Sequence, residues 1–331
     1  MKRSSRLAQL LVLTGSTIVP QAQGAERAEN QAQLDRPTVV SLAELVGSGV
    51  VSTGAFELGP AWAPDGETLY FVKSAPSAWG HADFTIVSSR LHEGRWTMPQ
   101  IAVFSGRYSD LNPWLSPDGQ RFYFASDRPV AGDEPRDFNL WVMEWSDGRW
   151  SEPVILPHPI NTDANELSIS VSDDGTVFFD SDRAGGVGGR DLYSARPGDV
   201  DFEGAVNLVP LNTAGKELTP VVSRDGTWLL FTSTGDAATS SAGDLYSAHV
   251  QGETWGAPVA LSGVNTRADE MGPALSPDGR YLYFVSDRPF RLERSRTASD
   301  YEELQRRLTG PGNGLGDIYR ILVRHLGIEL P

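Results

Sequence analysis

An Asp-Gly dipeptide that recurs five times at nearly constant spacing restricts the fold more than any other feature of the chain. Successive aspartates are separated by 53, 56, 51 and 53 residues. A short apolar and aromatic run follows each dipeptide, and another carboxylate precedes each aspartate by eight residues. Copies in register indicate one structural unit of about fifty residues that is repeated along the chain. The dipeptides are Asp65-Gly66, Asp118-Gly119, Asp174-Gly175, Asp225-Gly226 and Asp278-Gly279.

Each repeat predicts four antiparallel strands. Asp-Gly favours a tight hairpin turn, and flanking runs such as Phe122-Tyr123-Phe124 are typical of pleated, half-buried strands. A second hairpin follows, with Asp147-Gly148 at its turn in the second repeat. The fourth strand opens with an aromatic residue and a proline, which fits an outer edge strand because no ladder bond there needs its N–H. Five four-stranded sheets packed face to face form a β-propeller.

The two ends of the repeat array predict how the ring closes. The fifth repeat ends after its third strand, at residues 317–323, with no clear fourth strand behind it. Residues 36–42 resemble a fourth strand and would complete the last blade. The sequence therefore predicts an all-β, five-bladed β-propeller of four-stranded antiparallel blades, closed by an N-terminal strand, in one domain over residues 36–331.

The first 24 residues have the three parts of a secretory signal peptide. Lys2, Arg3 and Arg6 form a basic start, residues 7–19 are apolar but too few to span a bilayer, and small residues precede Ala25. Residues 25–35 form a polar lead-in. We therefore expect a soluble mature protein that is periplasmic or secreted. The chain has no cysteine, which excludes disulfides, thiol nucleophiles and thiolate metal sites.

The charge of the chain excludes one class of partner. The formal net charge is −15, and it becomes −18 when the signal peptide is removed with its three cations. A nucleic-acid-binding protein needs a basic face, so we expect no nucleic-acid partner. We expect no membrane insertion either, because no later segment is long and apolar enough.

Two repeats carry a fuller motif, Ser116-Pro117-Asp118-Gly119 and Ser276-Pro277-Asp278-Gly279, each followed by an aromatic strand and Ser-Asp-Arg. Through these motifs the chain resembles the TolB-type, WD-like β-propeller family over nearly all of residues 36–323. The first and fourth repeats depart from the pattern, with Lys73-Ser74-Ala75 and Ser233-Thr234-Gly235 in place of Ser-Asp-Arg. The resemblance implies a periplasmic protein-binding scaffold, a propeller in front of a peptidase, or a polysaccharide-processing enzyme, and fold alone does not decide among them.

The carboxylates that precede the Asp-Gly turns are the sharpest candidate site. The first strand of a propeller blade lines the central channel, so these groups are expected near one mouth of it. Two unit charges about 8 Å apart repel by about 2 kcal/mol at an effective dielectric constant near 20, so five bare carboxylates are not expected together. They are either structural, each tying its blade to the next, or they bind a ligand or a cation. They are Glu57, Asp110, Glu166, Glu217 and Glu270.

The fifth repeat differs from the others by a long insertion, residues 289–316, between its second and third strands. A capping box at residues 299–302 predicts a short helix that runs to about Leu308. In a strongly acidic protein, an arginine-rich insertion indicates either a recognition element for an anionic ligand or partner, or a set of local ion pairs. His81 and His158 are expected in loops on the same face. The arginines of this candidate surface are Arg288, Arg291, Arg294 and Arg296.

Two functions are compatible with the sequence. The first is a non-enzymatic binding module, whose partner is a protein or an anionic polysaccharide or cell-wall fragment. The alternative is a carbohydrate hydrolase or lyase that uses two channel-mouth carboxylates, because glycoside hydrolysis needs such a pair. The sequence singles out no catalytic residue, metal site or cofactor. A calcium-like cation held by oxygen atoms in the channel is a further alternative.

Overall fold

The computed structural model describes residues 42–74, 83–130, 137–235, 243–289 and 301–328, all within one compact unit, Val39–Pro331. They form five antiparallel sheets, numbered here as blades 1 to 5 in chain order, which confirms the five-bladed β-propeller. In chain order the strands are β1 (Glu44–Leu45), β2 (Phe56–Trp62), β3 (Thr68–Ser74), β4 (Thr85–His92), β5 (Arg95–Trp96), β6 (Gln100–Ile101), β7 (Asp110–Leu115), β8 (Arg121–Ser126), β9 (Asn139–Ser146), β10 (Arg149–Trp150), β11 (Val154–Ile155), β12 (Glu166–Val171), β13 (Val177–Ser181), β14 (Asp191–Ala195), β15 (Val206–Asn207), β16 (Glu217–Val222), β17 (Trp228–Ser233), β18 (Asp244–Gln251), β19 (Thr254–Trp255), β20 (Val259–Ala260), β21 (Glu270–Leu275), β22 (Tyr281–Ser286) and β23 (Asp317–Leu322).

The first strands of the blades surround the axis. They are β2, β7, β12, β16 and β21, and each contacts the first strands of both neighbouring blades, with β21 contacting β2 to close the ring. The third residue of each aromatic run is a phenylalanine that is almost completely buried. These side chains form the repeated centre of the core: Phe71, Phe124, Phe179, Phe231 and Phe284.

The connection between the first two strands of a blade differs from the tight hairpin that the sequence suggested. In blade 1 it spans residues 63–67, and only Gly66 has a positive φ (66°), while its N–H donates to the Ala63 carbonyl (3.1 Å). This is a four-residue turn followed by a left-handed glycine, which the aspartate stabilises by accepting backbone N–H groups. The two-residue turn with two positive φ angles lies in the second hairpin instead, at Asp147 (53°) and Gly148 (78°).

The outer strands are short because proline interrupts them. In blade 2, Pro153 separates β10 from β11, and both segments pair with β9. Blades 1 and 4 are divided in the same way, while blade 3 has the single outer strand β15. A proline at the outer edge of a sheet costs no hydrogen bond of the sheet, but in these blades it also divides the outer strand into two segments.

An N-terminal strand closes the ring, and the strand that the structure describes begins just after the segment that the sequence suggested. The strand β1 pairs with β23 of blade 5, with Glu44 opposite Arg320. Of the proposed segment 36–42, only Leu42 is described, and it lies outside any strand. The apolar residues that fill the closing position are Ala43 and Leu45, which pack against the core of blades 4 and 5.

The insertion of blade 5 contains the helix α1 (Tyr301–Thr309), as its capping box predicted. A single turn of 3₁₀ helix, Val323–His325, follows β23. No helix in the described part of the chain is long and apolar enough to cross a membrane.

Candidate functional site

The five repeated carboxylates lie at the start of the first strands, and all five side chains are fully buried. In four blades a threonine four residues earlier donates both its N–H and its hydroxyl to the carboxylate. For Glu270, the Thr266 nitrogen and Oγ1 each lie 2.7 Å from a carboxylate oxygen. This ties the linker that enters the blade to the start of the first strand. The threonines are Thr53, Thr162, Thr213 and Thr266.

The second strand holds the carboxylate from the other side. Ser286 donates its hydroxyl to Glu270 (2.9 Å), and Arg288 donates an Nη2 hydrogen to the same oxygen (2.9 Å). The guanidinium also lies over the rings of Phe284 and Tyr319, 5.2 and 5.1 Å from their centroids. The Ser-Asp-Arg motif therefore closes a latch within its own blade, which consists of the carboxylate, the threonine of the linker, and the serine and arginine of the motif.

Arg288 is thus engaged inside the fold. Its Nη2 also donates to the carbonyl of Val264 in the linker, so it joins the linker, the first strand and the second strand. Arg183 makes the equivalent bonds to Glu166 in blade 3, and Arg128 pairs with Asp110 in blade 2. A side chain held in this way supports the fold and contributes little to an exposed surface.

The latch differs among the blades. In blade 1 it uses Lys73, whose Nζ lies 2.7 Å from Glu57. In blade 4 Gly235 stands at the arginine position, and within the described residues no cation pairs with Glu217. In blade 2, Gly106 stands where the other blades have the threonine, and the Oδ2 atom of Asp110 has no partner in the described part of the chain. Burial raises the pKa of three of these carboxyl groups, although their hydrogen bonds oppose the shift: Glu166, Glu217 and Glu270.

A second carboxyl group lies beside Glu57, at the seam between blades 5 and 1. Asp317 begins β23, is almost completely buried, and accepts the N–H of Gly312 (2.6 Å). Burial and the neighbouring charge of Glu57 raise the pKa of Asp317 to about 7, which the N–H of Gly312 and Lys73 oppose. This group is therefore partly protonated at neutral pH.

Blade 3 contains a second buried ion pair in addition to the one between Arg183 and Glu166. Asp180, in β13, accepts hydrogen bonds from Arg190 (3.0 Å), from the Ser168 hydroxyl and from the N–H of Thr219 in blade 4. Arg190 also pairs with Asp182 (2.9 Å). Burial raises the pKa of Asp180, against the opposing charge of Arg190. The network joins blades 3 and 4, and both side chains of the pair are buried.

The remaining candidate residues are divided between exposed positions and the part of the chain that is not described. His158 is exposed in the linker between blades 2 and 3. His81, Arg291, Arg294 and Arg296 lie outside the described residues. The structure thus brings the carboxylates together with threonine, serine and Arg288, and it shows no contact between them and the histidine.

The helix α1 presents an apolar stripe to solvent. Tyr301, Leu304 and Leu308 are 72%, 40% and 58% exposed and follow the i, i+3, i+7 spacing of one helix face. Another side of the helix carries the ion pair between Glu303 and Arg307, with Nε 3.0 Å from the carboxylate. The C-terminus of the helix is anchored close to the linker of blade 1, where the Asn313 amide donates to the Gly54 carbonyl (3.2 Å).

A cavity of about 630 Å³ opens at the other end of the first strands, on the face that carries the turns between first and second strands. Its walls are largely apolar and include the half-buried rings of Trp62 and Trp114. The lining begins two residues after the repeated carboxylates, so none of the five carboxylates reaches it. The volume is in the range of small-molecule sites, about 300–1,000 Å³. Four blades line it, namely blades 1, 2, 4 and 5.

A bulge in each of these four strands forms the floor of the cavity. A residue with a positive φ is followed by a proline, and the pairing register shifts at this point. The bulges approach one another closely: a Cβ on Gly59 would lie 3.0 Å from the Asn112 side-chain oxygen. The bulge pairs are Gly59-Pro60, Asn112-Pro113, Thr219-Pro220 and Gly272-Pro273.

Our sequence interpretation missed this cavity, although a signal for it is present. Within a sheet, proline is confined to edge strands and bulges, and four repeats place one three residues after the carboxylate, in the innermost strand of the blade. The third repeat has Ile169 at this position, and blade 3 does not line the cavity. The repeated proline therefore marks the lining strands.

The described residues contain no group of three histidine, aspartate or glutamate side chains arranged to hold a metal ion. These residues therefore supply no set of ligands for the channel cation that the sequence analysis kept as an alternative.

Comparison with known proteins gives the fold alone. No family profile and no curated protein matches the sequence. The α-L-arabinofuranosidase from Lactobacillus brevis has a similar structure, with a TM-score of 0.51 at 13% identity, covering 83% of this chain and 92% of that chain. An arabinanase from Bacillus subtilis gives 0.48 at 11% identity, covering 82% and 97%. A protein from Agrobacterium tumefaciens assigned as TolB gives 0.45 at 16% identity, covering 81% and 90%.

Proposed function

We propose that this protein is an exported, non-enzymatic β-propeller that binds a protein partner through the face that carries α1. The observation that carries the proposal is the apolar stripe of Tyr301, Leu304 and Leu308 on the surface of a helix that interrupts the repeat pattern. Exposed apolar stripes of this kind are typical of protein contact sites, whereas a polysaccharide would be bound mainly through polar groups and isolated aromatic rings.

The charge of the insertion supports an acidic partner surface. The insertion, residues 289–316, contains five arginines and four carboxylates, so it is slightly basic in a chain whose net charge is −15. Charges at the rim of an apolar contact mainly increase the association rate and select the partner. A partner with acidic residues around an apolar groove fits both features of this helix.

The fate of the repeated carboxylates also supports a binding role. All five are fully buried and make hydrogen bonds or ion pairs inside the fold. A glycoside hydrolase needs two carboxyl groups that reach the scissile bond. Within the described residues, none of the five can do so without opening its latch.

One observation favours the alternative, a carbohydrate hydrolase or lyase. The pair formed by Glu57 and Asp317 combines an acid with a raised pKa and a second carboxyl group beside it, as general acid catalysis requires. Both side chains are buried, however, so this alternative needs a movement of the seam between blades 5 and 1.

Site-specific photo-crosslinking in the native host tests the proposal. A photoreactive residue at Leu304 should give a discrete protein adduct, and the same residue at Val200, which is 92% exposed on another blade, should not. Leu308→Asp should remove the adduct and lower the free energy of unfolding by no more than about 1 kcal/mol, because the side chain is exposed and the cost is limited to helix propensity and to a negative charge in the last turn of α1. Equal crosslinking at both positions would contradict the assignment of the face.

An activity screen distinguishes the alternative, a carbohydrate hydrolase or lyase, from the binding protein proposed here. The purified protein is incubated with arabinan, pectin and peptidoglycan fragments, and the products are analysed by mass spectrometry. We expect no product. Cleavage that Asp317→Asn abolishes would establish the enzyme and overturn the binding proposal.

A further inference from the structure

The cavity on the turn face combines an aromatic wall with a rim of fixed negative charge. Trp62 packs between Tyr283 and Trp96, with centroid distances of 5.2 and 5.8 Å, so the orientation of its ring is set by its neighbours. Trp114 packs against Tyr123 at 5.6 Å. Rigid aromatic walls of this kind bind flat or apolar groups and attract cations through the faces of the rings.

The rim is acidic. Four turns border the cavity, residues 63–67, 116–120, 223–227 and 276–280, and they contain five carboxylates, of which Asp225 lies in the lining itself and Glu67 pairs with Arg90 outside the turns. The same turns contain two arginines. One of these, Arg224, lines the cavity, but it already pairs with Asp173 through Nε, which lies 3.1 Å from each carboxylate oxygen. The mouth of the cavity therefore has a net negative charge.

The charges of the turn aspartates are held in place by the turns themselves. Asp118 accepts the hydroxyl of Ser116 and the N–H of Gln120, and these bonds keep its pKa below the usual range. The same arrangement lowers the pKa of the equivalent aspartates in blades 3, 4 and 5. A ring of ionised groups at the mouth of a cleft raises the local concentration of cations and repels anions.

From this geometry we infer that the cavity binds a small organic cation, an ammonium or guanidinium group carried on an apolar or aromatic body. The body would fill the space between the tryptophan rings and the bulge floor, while the charged group would face the acidic rim. The volume of about 630 Å³ fits a compact ligand of this class. The site lies on the face opposite α1 and is independent of the partner surface proposed above.

Isothermal titration calorimetry with a matched set of probes tests this inference. The probes share a phenyl body and differ in charge: 2-phenylethylamine, 2-phenylethanol and 3-phenylpropanoate, with tetramethylammonium as a cation without the body. At low salt we expect the amine to bind at least about tenfold more tightly than the alcohol, and the propanoate to bind most weakly of the three phenyl probes. The advantage of the amine should shrink at 0.5 M salt, because surface charges are then screened within about 4 Å.

Two variants place the binding in this cavity. Pro64→Arg adds a cation at the rim, at a position that blade 4 itself fills with Arg224, and should weaken binding of the amine about fivefold without changing binding of the alcohol. Pro64→Gln is the matched control and should bind both probes like the wild type. Ala274→Trp fills the cavity and should abolish binding of every probe. If that variant does not fold, the comparison at Pro64 decides alone.

The inference fails if no probe binds, if the alcohol or the propanoate binds as tightly as the amine, or if the folded Ala274→Trp variant binds normally. A partner's chain is the competing occupant. If the peptide acetyl-Phe-Lys-Phe-amide bound more than tenfold more tightly than 2-phenylethylamine, the cavity would be a peptide site and the assignment to a small cation would be wrong.

Discussion

Replacing Glu270 with glutamine should destabilise the protein by about 3 kcal/mol, whereas the same change at Glu217 should cost about 1–2 kcal/mol. Both carboxylates are fully buried and accept two hydrogen bonds from a threonine and one from a serine. Only Glu270 also pairs with an arginine, Arg288, at 2.9 Å. The comparison therefore separates the hydrogen bonds that both blades share from the ion pair.

The magnitudes come from these contacts. Glutamine keeps one acceptor oxygen, but its amide group faces the threonine donors, so about one buried hydrogen bond is lost, at about 1–3 kcal/mol. Breaking a buried ion pair by removing one partner costs about 3–5 kcal/mol. Arg288 keeps its bonds to Ser286 and Val264 and its side chain is 13% exposed, which brings the expected loss to the lower end of that range.

Equilibrium urea denaturation at pH 7.5, followed by tryptophan fluorescence, measures both values. A double-mutant cycle of Glu270→Gln with Arg288→Met should give a coupling energy of about 1.5–2 kcal/mol. A loss below 0.5 kcal/mol at Glu270, or an equal loss at both positions, would refute the structural latch. Stable variants that lose ligand binding would instead return the carboxylates to a functional role.

Three further changes test other parts of the structure. Burial and a neighbouring carboxylate raise the pKa of Asp317 to about 7, so the folded protein holds a proton that the unfolded chain releases above its ordinary pKa of 3.8, and stability falls as the pH rises through this window. Between pH 5 and pH 8, the free energy of unfolding of Asp317→Asn should therefore fall by about 2 kcal/mol less than that of the wild type in urea denaturation. An unchanged pH dependence would contradict the shift. Asp180→Ala should destabilise by about 3 kcal/mol, since it leaves Arg190 buried with one carboxylate fewer, and a loss below 1 kcal/mol in the same assay would show that the pair is dispensable. Gly54→Ala would place a Cβ 2.1 Å from the Thr309 carbonyl oxygen. We therefore expect about 1–3 kcal/mol of destabilisation and a shift of the α1 resonances in NMR spectra. Unchanged resonances would mean that the helix does not pack on this linker.

The propeller itself was predictable because each blade is assembled from local hairpins. The aromatic runs, the buried phenylalanines and the glycine of each turn recur within about fifty residues of one another, so the period alone defines the blade. The exact closing strand was not predictable in the same way. Residues 36–42 match the composition of an outer strand, but the pairing of β1 with β23 depends on contacts between positions more than 270 residues apart, such as Glu44 and Arg320.

The candidate site was only partly predictable, because sequence reveals which residues recur but not where their side chains lie. The carboxylates of the repeats were identified, yet four of them are held by a threonine four residues earlier, which becomes visible as a partner only in three dimensions. Glu217 illustrates the difference: its repeat position is the same as that of Glu270, but Gly235 replaces the arginine of the latch. The cavity was missed because the strand prolines were considered only at the outer edge.

Positions at which the repeats agree and positions at which they differ have different roles in this fold. In every blade the repeated carboxylate holds the start of the first strand in place, so it recurs in each repeat and its hydrogen bonds are made to groups inside the fold. The second residue of the turn has no such role, and its type differs among the blades, whereas the aspartate and glycine that follow it are constant. In chain order this residue is Pro64, Pro117, Asp173, Arg224 and Pro277. Because that residue is exposed and does not carry the hydrogen bonds of the turn, the charge of the rim can change without loss of the blade. If the cavity binds a cation as inferred above, ligand preference and stability are encoded at adjacent residues, and rim substitutions should alter the first with little effect on the second.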